Sequence, residues 1–268
     1  MVRSGDWPVG GALPMALGVE TAGTVTAVGS AVTTFGIGDE VLTRCVPFRE
    51  QGAWAEQVIC AAADCAGKPP SLGWADAAVF PIPALTAAQV LDDALAVQAG
   101  ETMLVHGAGG LTGKLIVQMA AVRGAQVIAT AGPALADRGR AAGAMELLDY
   151  HDAHWPELVR RLTGGVGAAA AATAARGGAA QAFEAIETGG RLATITSDSV
   201  DADREVAVQQ AYVRSDGPRL AALAELLSRG ELTMDVGAVY RLARAADALV
   251  LATSGGHGQA VVVSPAPL

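Results

Sequence analysis

The fold is decided by the stretch Val105-His106-Gly107-Ala108-Gly109-Gly110-Leu111-Thr112-Gly113. It follows the apolar run Thr102–His106, which predicts a buried strand, and it opens a segment with apolar residues on one helical face. Glycines between a strand and a helix let the backbone approach a pyrophosphate, whose charge faces the N–H groups of the helix start. The spacing is Gly107-x-x-Gly110-x-x-Gly113 rather than G-x-G-x-x-G. The alternative is a plain strand–helix turn that binds nothing.

Strands and helices alternate around this turn. Strands are predicted at Gln126–Thr130, Glu146–Leu148, Ala168–Ala172 and 191–196, and helices at 84–95, 155–163, 179–187, 217–229 and 244–252. This alternation predicts parallel βαβ units in a doubly wound α/β sheet. The alanine run 168–172 favours a helix by composition but a strand by its place in the order, and we predict a strand.

The residues before position 84 have a different sequence pattern. Short strands are predicted at Thr24–Val28, Glu40–Thr43 and Ala53–Cys60, separated by glycine turns. Ser71 is the predicted N-cap of a helix that begins near Trp74. The first part of the chain is therefore expected to be a β region, and a last strand is predicted at 260–263.

Composition limits the class of protein. The 268 residues are 51% apolar and carry a net charge of −9, which excludes a disordered chain and disfavours nucleic-acid binding. No apolar run is long enough to span a membrane, and the first residues lack the apolar core of a secretory signal. Three cysteines, at positions 45, 60 and 65, make no disulfide framework, so we expect a cytoplasmic protein.

The second predicted strand bears on nucleotide choice. It ends Ile128-Ala129-Thr130-Ala131-Gly132, where a site for NAD usually places an acidic residue for the ribose 2′-hydroxyl. The absence of that acid favours NADP. Arg138 and Arg140 could meet its phosphate, although a solvated helix face explains them equally well.

Six segments share one resemblance: LGVETAGTV (17–25), VTTFGIGDEV (32–41), GAWAE (52–56), PALTA (83–87), HGAGGLTG (106–113) and GQAVV (258–262). Together they resemble the zinc-independent quinone oxidoreductase branch of the medium-chain dehydrogenase/reductase superfamily. The resemblance implies a GroES-like catalytic domain over 1–83 and 212–268, and a Rossmann nucleotide-binding domain over 84–211. It also implies a homodimer.

The resemblance further implies an oxidoreductase that moves hydride from NADPH to an activated C=C bond in a quinone, enone or enoyl substrate. Gly107, Gly110, Leu111, Thr112 and Gly113 are expected to hold the pyrophosphate. Gly132, Arg138 and Tyr150 are expected beside the adenosine phosphate, and Thr86, Thr196 and Ser197 beside the nicotinamide. No residue is an obvious catalytic acid or base, and the hydride chemistry belongs to the cofactor.

The sequence also departs from the branch. Its opening strands are absent, so we expect an N-terminally truncated GroES-like domain; the alternatives are a misassigned start or a protein that works without that half of the cleft. Leu111 and Thr112 replace a small Gly-Val pair, and Pro133 and Ala136 replace the Ser-x-x-Lys of the 2′-phosphate site. The alternative function is a repurposed non-redox scaffold, a cyclase, lyase or binding protein, that has lost productive cofactor binding.

Zinc is not expected. Zinc-using relatives place a histidine ligand where Val19 stands, and the pairs Cys60-x4-Cys65 and His151-x-x-His154 lack converging partners. We therefore expect all the cysteines and histidines to be structural or solvated. The expected partner is a small-molecule substrate, with no nucleic acid and no membrane.

Overall fold

The computed structural model describes residues 15–45, 52–201 and 205–266. The chain folds into two compact units. Unit 1 comprises Met1–Leu85, Ser215–Gly255 and Gln259–Leu268, and unit 2 comprises Thr86–Arg214 and Gly256–Gly258. In the part of the chain that is described, no helix has the length and apolar character needed to cross a membrane.

Unit 1 begins with a small antiparallel sheet of three strands: β1 (Glu20–Thr24), β2 (Glu40–Arg44) and β3 (Cys65–Gly67). The strand predicted at Thr24–Val28 is wrong, because β1 ends at Thr24, where its partner β2 begins at Glu40. The strand predicted at Ala53–Cys60 is also wrong, since that segment has no ladder partner among the described residues.

Two helices follow, α1 (Trp74–Val79) and α2 (Pro81–Gln89), the second continued by a π-helical turn over Val90–Ala94. The helix beginning near Trp74 is confirmed. Its N-cap is Gly73, which has no side chain, so the prediction of Ser71 as the cap is wrong.

Unit 2 contains the parallel sheet that the alternation predicts. Its strands are β4 (Thr102–His106), β5 (Gln126–Ala131), β6 (Glu146–Asp149), β7 (Ala168–Thr173), β8 (Ile186–Thr194) and β9 (Ala207–Gln210). They lie in the order β6-β5-β4-β7-β8-β9, which is the doubly wound order with a reversal between β4 and β7. The alanine run 168–172 is confirmed as a strand, and it is buried, because it lies between β4 and β8.

The helices of unit 2 are α3 (Leu111–Val122), α4 (Ala136–Ala141), α5 (Trp155–Leu162) and α6 (Ala179–Glu184). Trp155 of α5 and Phe183 of α6 pack with Leu104, Ile128 and Leu192 of the sheet in the buried core. Burying such side chains stabilises the unit by about 1.5–3 kcal/mol each.

The chain then returns to unit 1 with α7 (Gly217–Ser228), β10 (Val236–Arg241), α8 (Ala245–Ser254) and β11 (Ala260–Ser264). β10 and β11 pair in parallel around a register shift between Val236 and Ala238. The sequence did not predict β9 or β10.

Candidate functional site

The glycine-rich turn of unit 2 joins the carboxyl end of β4 to the start of α3. Gly107 has φ +91°, a conformation that favours glycine. A methyl group on Gly113 would lie 2.1 Å from the Gly107 carbonyl oxygen, so only glycine fits there. These two glycines are required by the turn itself, with or without a ligand.

Gly110 is different, because the turn does not require it. It is the exposed N-cap of α3, and a methyl group there would meet only the Gly107 oxygen, at an ordinary 3.6 Å. Gly110 has no side chain to accept hydrogen bonds from the first turn of α3, whose N–H groups lack intrahelical acceptors. The predicted pyrophosphate residues Leu111 and Thr112 begin that helix and are half-buried. The N-terminus of a helix is a place that favours negatively charged groups.

This place lies where the strand order reverses, between β4 and β7. Open parallel sheets bind ligands outside the carboxyl ends of their strands at such a reversal. Four side chains occupy the last register position there: Thr130, His106, Thr173 and Thr194. The edge of the sheet beside the turn is therefore polar.

Within this row, His106 lies between Thr130 and Thr173. Its Nδ1 is 2.8 Å from Thr130 Oγ1, and its ring stacks on Trp155 at a centroid distance of 5.3 Å. Burial lowers the pKa of His106, which favours the neutral ring, and Asp198 opposes that shift. From the sequence, only the glycines indicated a binding site at this position. The row of polar side chains is apparent only from the register of the strands.

Protein groups cover one side of the turn. A methyl group on Gly109 would lie 2.8 Å from Leu135 Cβ, and one on Gly258 would lie 2.5 Å from the Gly109 oxygen. Arg138 donates a hydrogen bond through Nη2 to the Gly258 carbonyl. The sequence did not predict these contacts, and the two that involve Gly258 join positions more than a hundred residues apart.

The predicted adenosine residues Gly132 and Tyr150 lie together. A methyl group on Gly132 would be 3.4 Å from Tyr150 Oη and 3.3 Å from His151 Cε1. Asp149 pairs in register with Ala131 at the end of β5, and its carboxylate accepts from His151 Nδ1 at 2.7 Å. Hydrogen bonds from His151, first from its backbone, lower the pKa of Asp149. An acidic residue therefore does lie at this corner, on β6 rather than at the end of β5.

Arg138 and Arg140 are both engaged by other groups. Arg140 pairs with Asp137 at 3.1 Å, and Arg138 binds the Gly258 carbonyl. Both arginines come from α4, which begins one turn after Gly132. A cavity of about 310 Å³ beside this helix is lined by Pro133, Asp137, Arg140 and Asp149 among others.

The predicted nicotinamide residues come from two parts of unit 2. Thr86 is buried on α2. Thr196 follows β8, with its Oγ1 3.1 Å from Thr194 Oγ1. Ser197 has φ +60°, which is strained for a non-glycine residue, and its Oγ is 3.4 Å from Tyr212 Oη.

Unit 1 contains a separate cavity of about 1510 Å³. Most of its lining is apolar, and Trp54, Val79, Leu249 and Val262 contribute to it. Glu20 also lines it, and its carboxylate accepts the Ile82 N–H at 2.7 Å. Burial raises the pKa of Glu20 to about 8, while the Ile82 N–H opposes that shift.

A metal site would need several ligating side chains that converge on one point. Among the described residues, no group of three or more His, Cys, Asp and Glu side chains is arranged to hold a metal ion. His151 is engaged with Asp149, and the side-chain oxygen of Asp152 accepts the backbone N–H of His154.

Residues 1–70 match the alcohol dehydrogenase GroES-like domain family. A quinone oxidoreductase of Pseudomonas aeruginosa is 37% identical over 164 residues, covering 61% of this chain and 49% of that protein. A phthioceranic/hydroxyphthioceranic acid synthase of Mycobacterium tuberculosis is 30% identical over 92% of this chain but only 12% of that protein. The match therefore spans about half of the first relative and a small part of the second.

Solved structures match over most of both chains. A quinone oxidoreductase of Pseudomonas syringae has a TM-score of 0.86 at 28% identity, covering 98% of this chain and 86% of that one. A mycobacterial protein complexed with NADPH has a TM-score of 0.86 at 30% identity, with the same coverage. An NAD-dependent alcohol dehydrogenase, also 30% identical, has a TM-score of 0.86 over 95% of this chain and 84% of its own.

Proposed function

The chain belongs to the medium-chain dehydrogenase/reductase superfamily, in its quinone-oxidoreductase-like branch, and from this we propose that it transfers hydride from NADPH to an activated C=C bond. The substrate is a small quinone, enone or enoyl compound. The observation that carries the proposal is Gly110, an exposed N-cap without a side chain at the point where the sheet order reverses. The turn does not need glycine there, but an approaching phosphate does.

The residues of unit 2 have distinct roles in this proposal. Gly107 and Gly113 shape the turn, and the first N–H groups of α3, from Leu111 and Thr112 onward, donate to the pyrophosphate. Gly132, Tyr150 and Arg138 flank the adenosine phosphate, while Thr86, Thr196 and Ser197 line the nicotinamide. The bound nucleotide supplies the hydride, and the protein orients the reacting partners and keeps water away.

Membership of the family also supports a domain organisation and an assembly for this chain. A GroES-like catalytic domain covers 1–83 and 212–268, and the Rossmann domain covers 84–211. The enzyme is zinc-independent, cytoplasmic and homodimeric. The edge strand β9 is mostly exposed and offers a place for two sheets to meet, which light scattering of the purified protein can test.

One observation favours the second candidate, a non-redox scaffold that has lost its cofactor. Leu135 lies against Gly109, and Arg138 donates a hydrogen bond to the Gly258 carbonyl. Both side chains near the turn therefore already contact other parts of the protein. A nucleotide must bind beside these contacts or displace them. Displacing one charge-assisted hydrogen bond costs about 1.5–3 kcal/mol, which is one to two decades of affinity.

Nucleotide titration followed by turnover separates the two candidates. The intact protein is titrated with NADPH and NADH by fluorescence, and NADPH oxidation is then followed with a quinone, an enone and an enoyl thioester. The thioester is included because 90% of this chain is similar to a small part of a mycocerosic acid synthase-like polyketide synthase of Mycobacterium tuberculosis. Saturable NADPH binding with turnover of at least one acceptor supports the reductase. No binding at millimolar NADPH contradicts it and favours the scaffold.

A further inference from the structure

Two free cysteines of unit 1, Cys60 and Cys65, lie with their sulfurs in contact. The Sγ–Sγ distance is 3.4 Å, and Cys65 Sγ also lies 3.4 Å from the Ala61 carbonyl oxygen. The sequence spacing of five residues gives no reason by itself to expect this contact. The structure supplies the reason, because a short 3-10 turn over Ala62–Asp64 reverses the chain between the two cysteines.

The surroundings of the pair hold it in place. Cys65 is the first residue of β3 and pairs with Thr43 of β2. The Asp64 N–H donates to the Ala61 carbonyl at 3.0 Å, which closes the turn. A methyl group on Gly217 of α7 would lie 2.5 Å from the carbonyl oxygens of Ala63 and Cys65, so the helix packs directly on this turn. Cys60 is exposed, and a small reagent can therefore reach the pair.

The two thiols are not equivalent. Either sulfur can donate in the contact between them. With Cys60 as the donor, this hydrogen bond, helped by one from Thr43, lowers the pKa of Cys65 to about 7 against the effects of burial and of Asp64. The same hydrogen bond raises the pKa of Cys60. Cys65 is therefore the thiol of the pair that ionises more readily near neutral pH, while Cys60 keeps its proton.

We propose that Cys60 and Cys65 are a reversible dithiol–disulfide site whose oxidant is a low-molecular-weight disulfide such as oxidised glutathione. The Cys65 thiolate attacks one sulfur of the oxidant, forming a mixed disulfide and releasing one thiolate. Cys60 then loses its proton and attacks Cys65 Sγ, forming the protein disulfide and releasing the second thiol. Two protein thiols lose two electrons and two protons, and the small disulfide becomes two thiols.

The geometry suits both steps. The sulfurs must close from 3.4 Å to the ~2.05 Å of a disulfide, a movement of little more than 1 Å that an exposed Cys60 can make. An attacking thiol is most effective when its pKa is near the ambient pH, as for Cys65. Closing the bond links Cys60, which precedes the 3-10 turn, to the first residue of β3, and both cysteines line the large cavity of unit 1.

The test begins with the intact protein and oxidised glutathione at neutral pH. The expected product has lost two hydrogen masses and carries no glutathione. Proteolysis before Asp64 separates the two cysteines, so their fragments must stay joined until a reductant is added. Cys45→Ala is the matched control: Cys45 is buried, and this variant must form the same link.

Two variants of the partner cysteine test the roles. Neither can close the disulfide, so each should retain one glutathione on Cys65. In Cys60→Ser the hydroxyl still donates to Cys65, and the midpoint of Cys65 alkylation against pH should stay near 7. In Cys60→Ala the donor is gone and the midpoint should rise by more than one unit, toward ~8.5. At pH 7 the alkylation rate itself should fall only about threefold, because a more basic thiolate is also more nucleophilic.

Several results would overturn the proposal. One is glutathione retained on the wild-type protein with no internal link. Another is a link that Cys45→Ala abolishes, which would assign the disulfide to Cys45. A third is an equal alkylation midpoint in Cys60→Ala and the wild type. Circular dichroism of each variant confirms that it is folded, and none of these readouts depends on nucleotide binding.

Discussion

Replacing Gly110 by Asp should stabilise the fold and abolish nucleotide binding. Gly110 has φ −80° and ψ 164°, the extended conformation that an Asp N-cap adopts without strain. A Cβ there would meet only the Gly107 oxygen at 3.6 Å, so nothing has to move. Because the two effects have opposite signs, unfolding cannot mimic the expected loss of binding.

The magnitudes follow from simple electrostatics. An Asp side chain at this position accepts hydrogen bonds from the first turn of α3, and its charge meets the positive end of the helix dipole, for a gain of about 0.5–1 kcal/mol. A phosphate bound to the same turn would face that carboxylate at roughly 5 Å. With an effective dielectric constant of about 20, each such pair of charges costs about 3 kcal/mol. Nucleotide affinity should therefore fall by two decades or more.

Fluorescence titration with NADPH and urea unfolding, both on the intact protein, measure the two effects. Gly110→Asn is the matched control, because its side chain caps the helix without a charge. We expect it to be as stable as the wild type or more stable, with a smaller loss of affinity than Gly110→Asp shows. Wild-type affinity for NADPH in Gly110→Asp would falsify the placement of the nucleotide on this turn. A lower free energy of unfolding in this variant would refute the inference that a side chain fits at position 110 without strain.

Four further outcomes are expected. Metal analysis of the purified protein should find no stoichiometric zinc, and about one tightly held zinc per chain would contradict the zinc-free assignment. Titration should show a weak preference for NADPH over NADH, since β5 ends without an acid but Asp149 stands nearby; tight binding of NADH alone would be the wrong result. Glu20 has its pKa raised from 4.5 to about 8, so its folded form favours the proton and stability falls as pH rises between these values. Glu20→Gln, which keeps an acceptor for the Ile82 N–H, should lack that fall in urea unfolding at pH 5 to 9, and an unchanged pH dependence would refute the assignment. Gly113→Ala should lower the free energy of unfolding by about 1–3 kcal/mol, because its methyl group would lie 2.1 Å from the Gly107 oxygen; equal urea midpoints in this variant and the wild type would count against the tight turn.

The parallel sheet could be predicted from sequence because its signals agree with one another. Thr102–His106 is a short apolar run, glycines follow it, and an amphipathic helix comes next. Even the alanine run 168–172 is assigned correctly, because its place in the alternation outweighs the helical preference of alanine. In a strand between β4 and β8, burial rather than local propensity decides the conformation.

The small sheets of unit 1 were less predictable. Apolar residues at 53–60 resemble a strand, but a strand needs a neighbour to accept its hydrogen bonds, and the local sequence does not say whether one is there. β10 was missed because Gly237 interrupts its apolar pattern beside a register shift.

The candidate site, too, could be predicted only where it depends on local sequence. The glycine turn is local and could be predicted, whereas the contact of Arg138 with Gly258 joins residues 120 positions apart. Asp149 was missed as a neighbour of Gly132 for a related reason: it belongs to the next strand, and only register brings it there.

Gly256–Gly258 belongs to unit 2, although the residues on either side of it belong to unit 1. During synthesis, residues 86–214 leave the ribosome long before residue 258 does. Gly109 and Arg138 therefore lack their contacts with Gly258 until that residue has emerged. Domains generally fold as units from the N-terminus during translation. Unit 2 cannot reach its final form until residue 258 has emerged, and a nascent chain stalled before position 256 would have an incompletely packed glycine-rich turn.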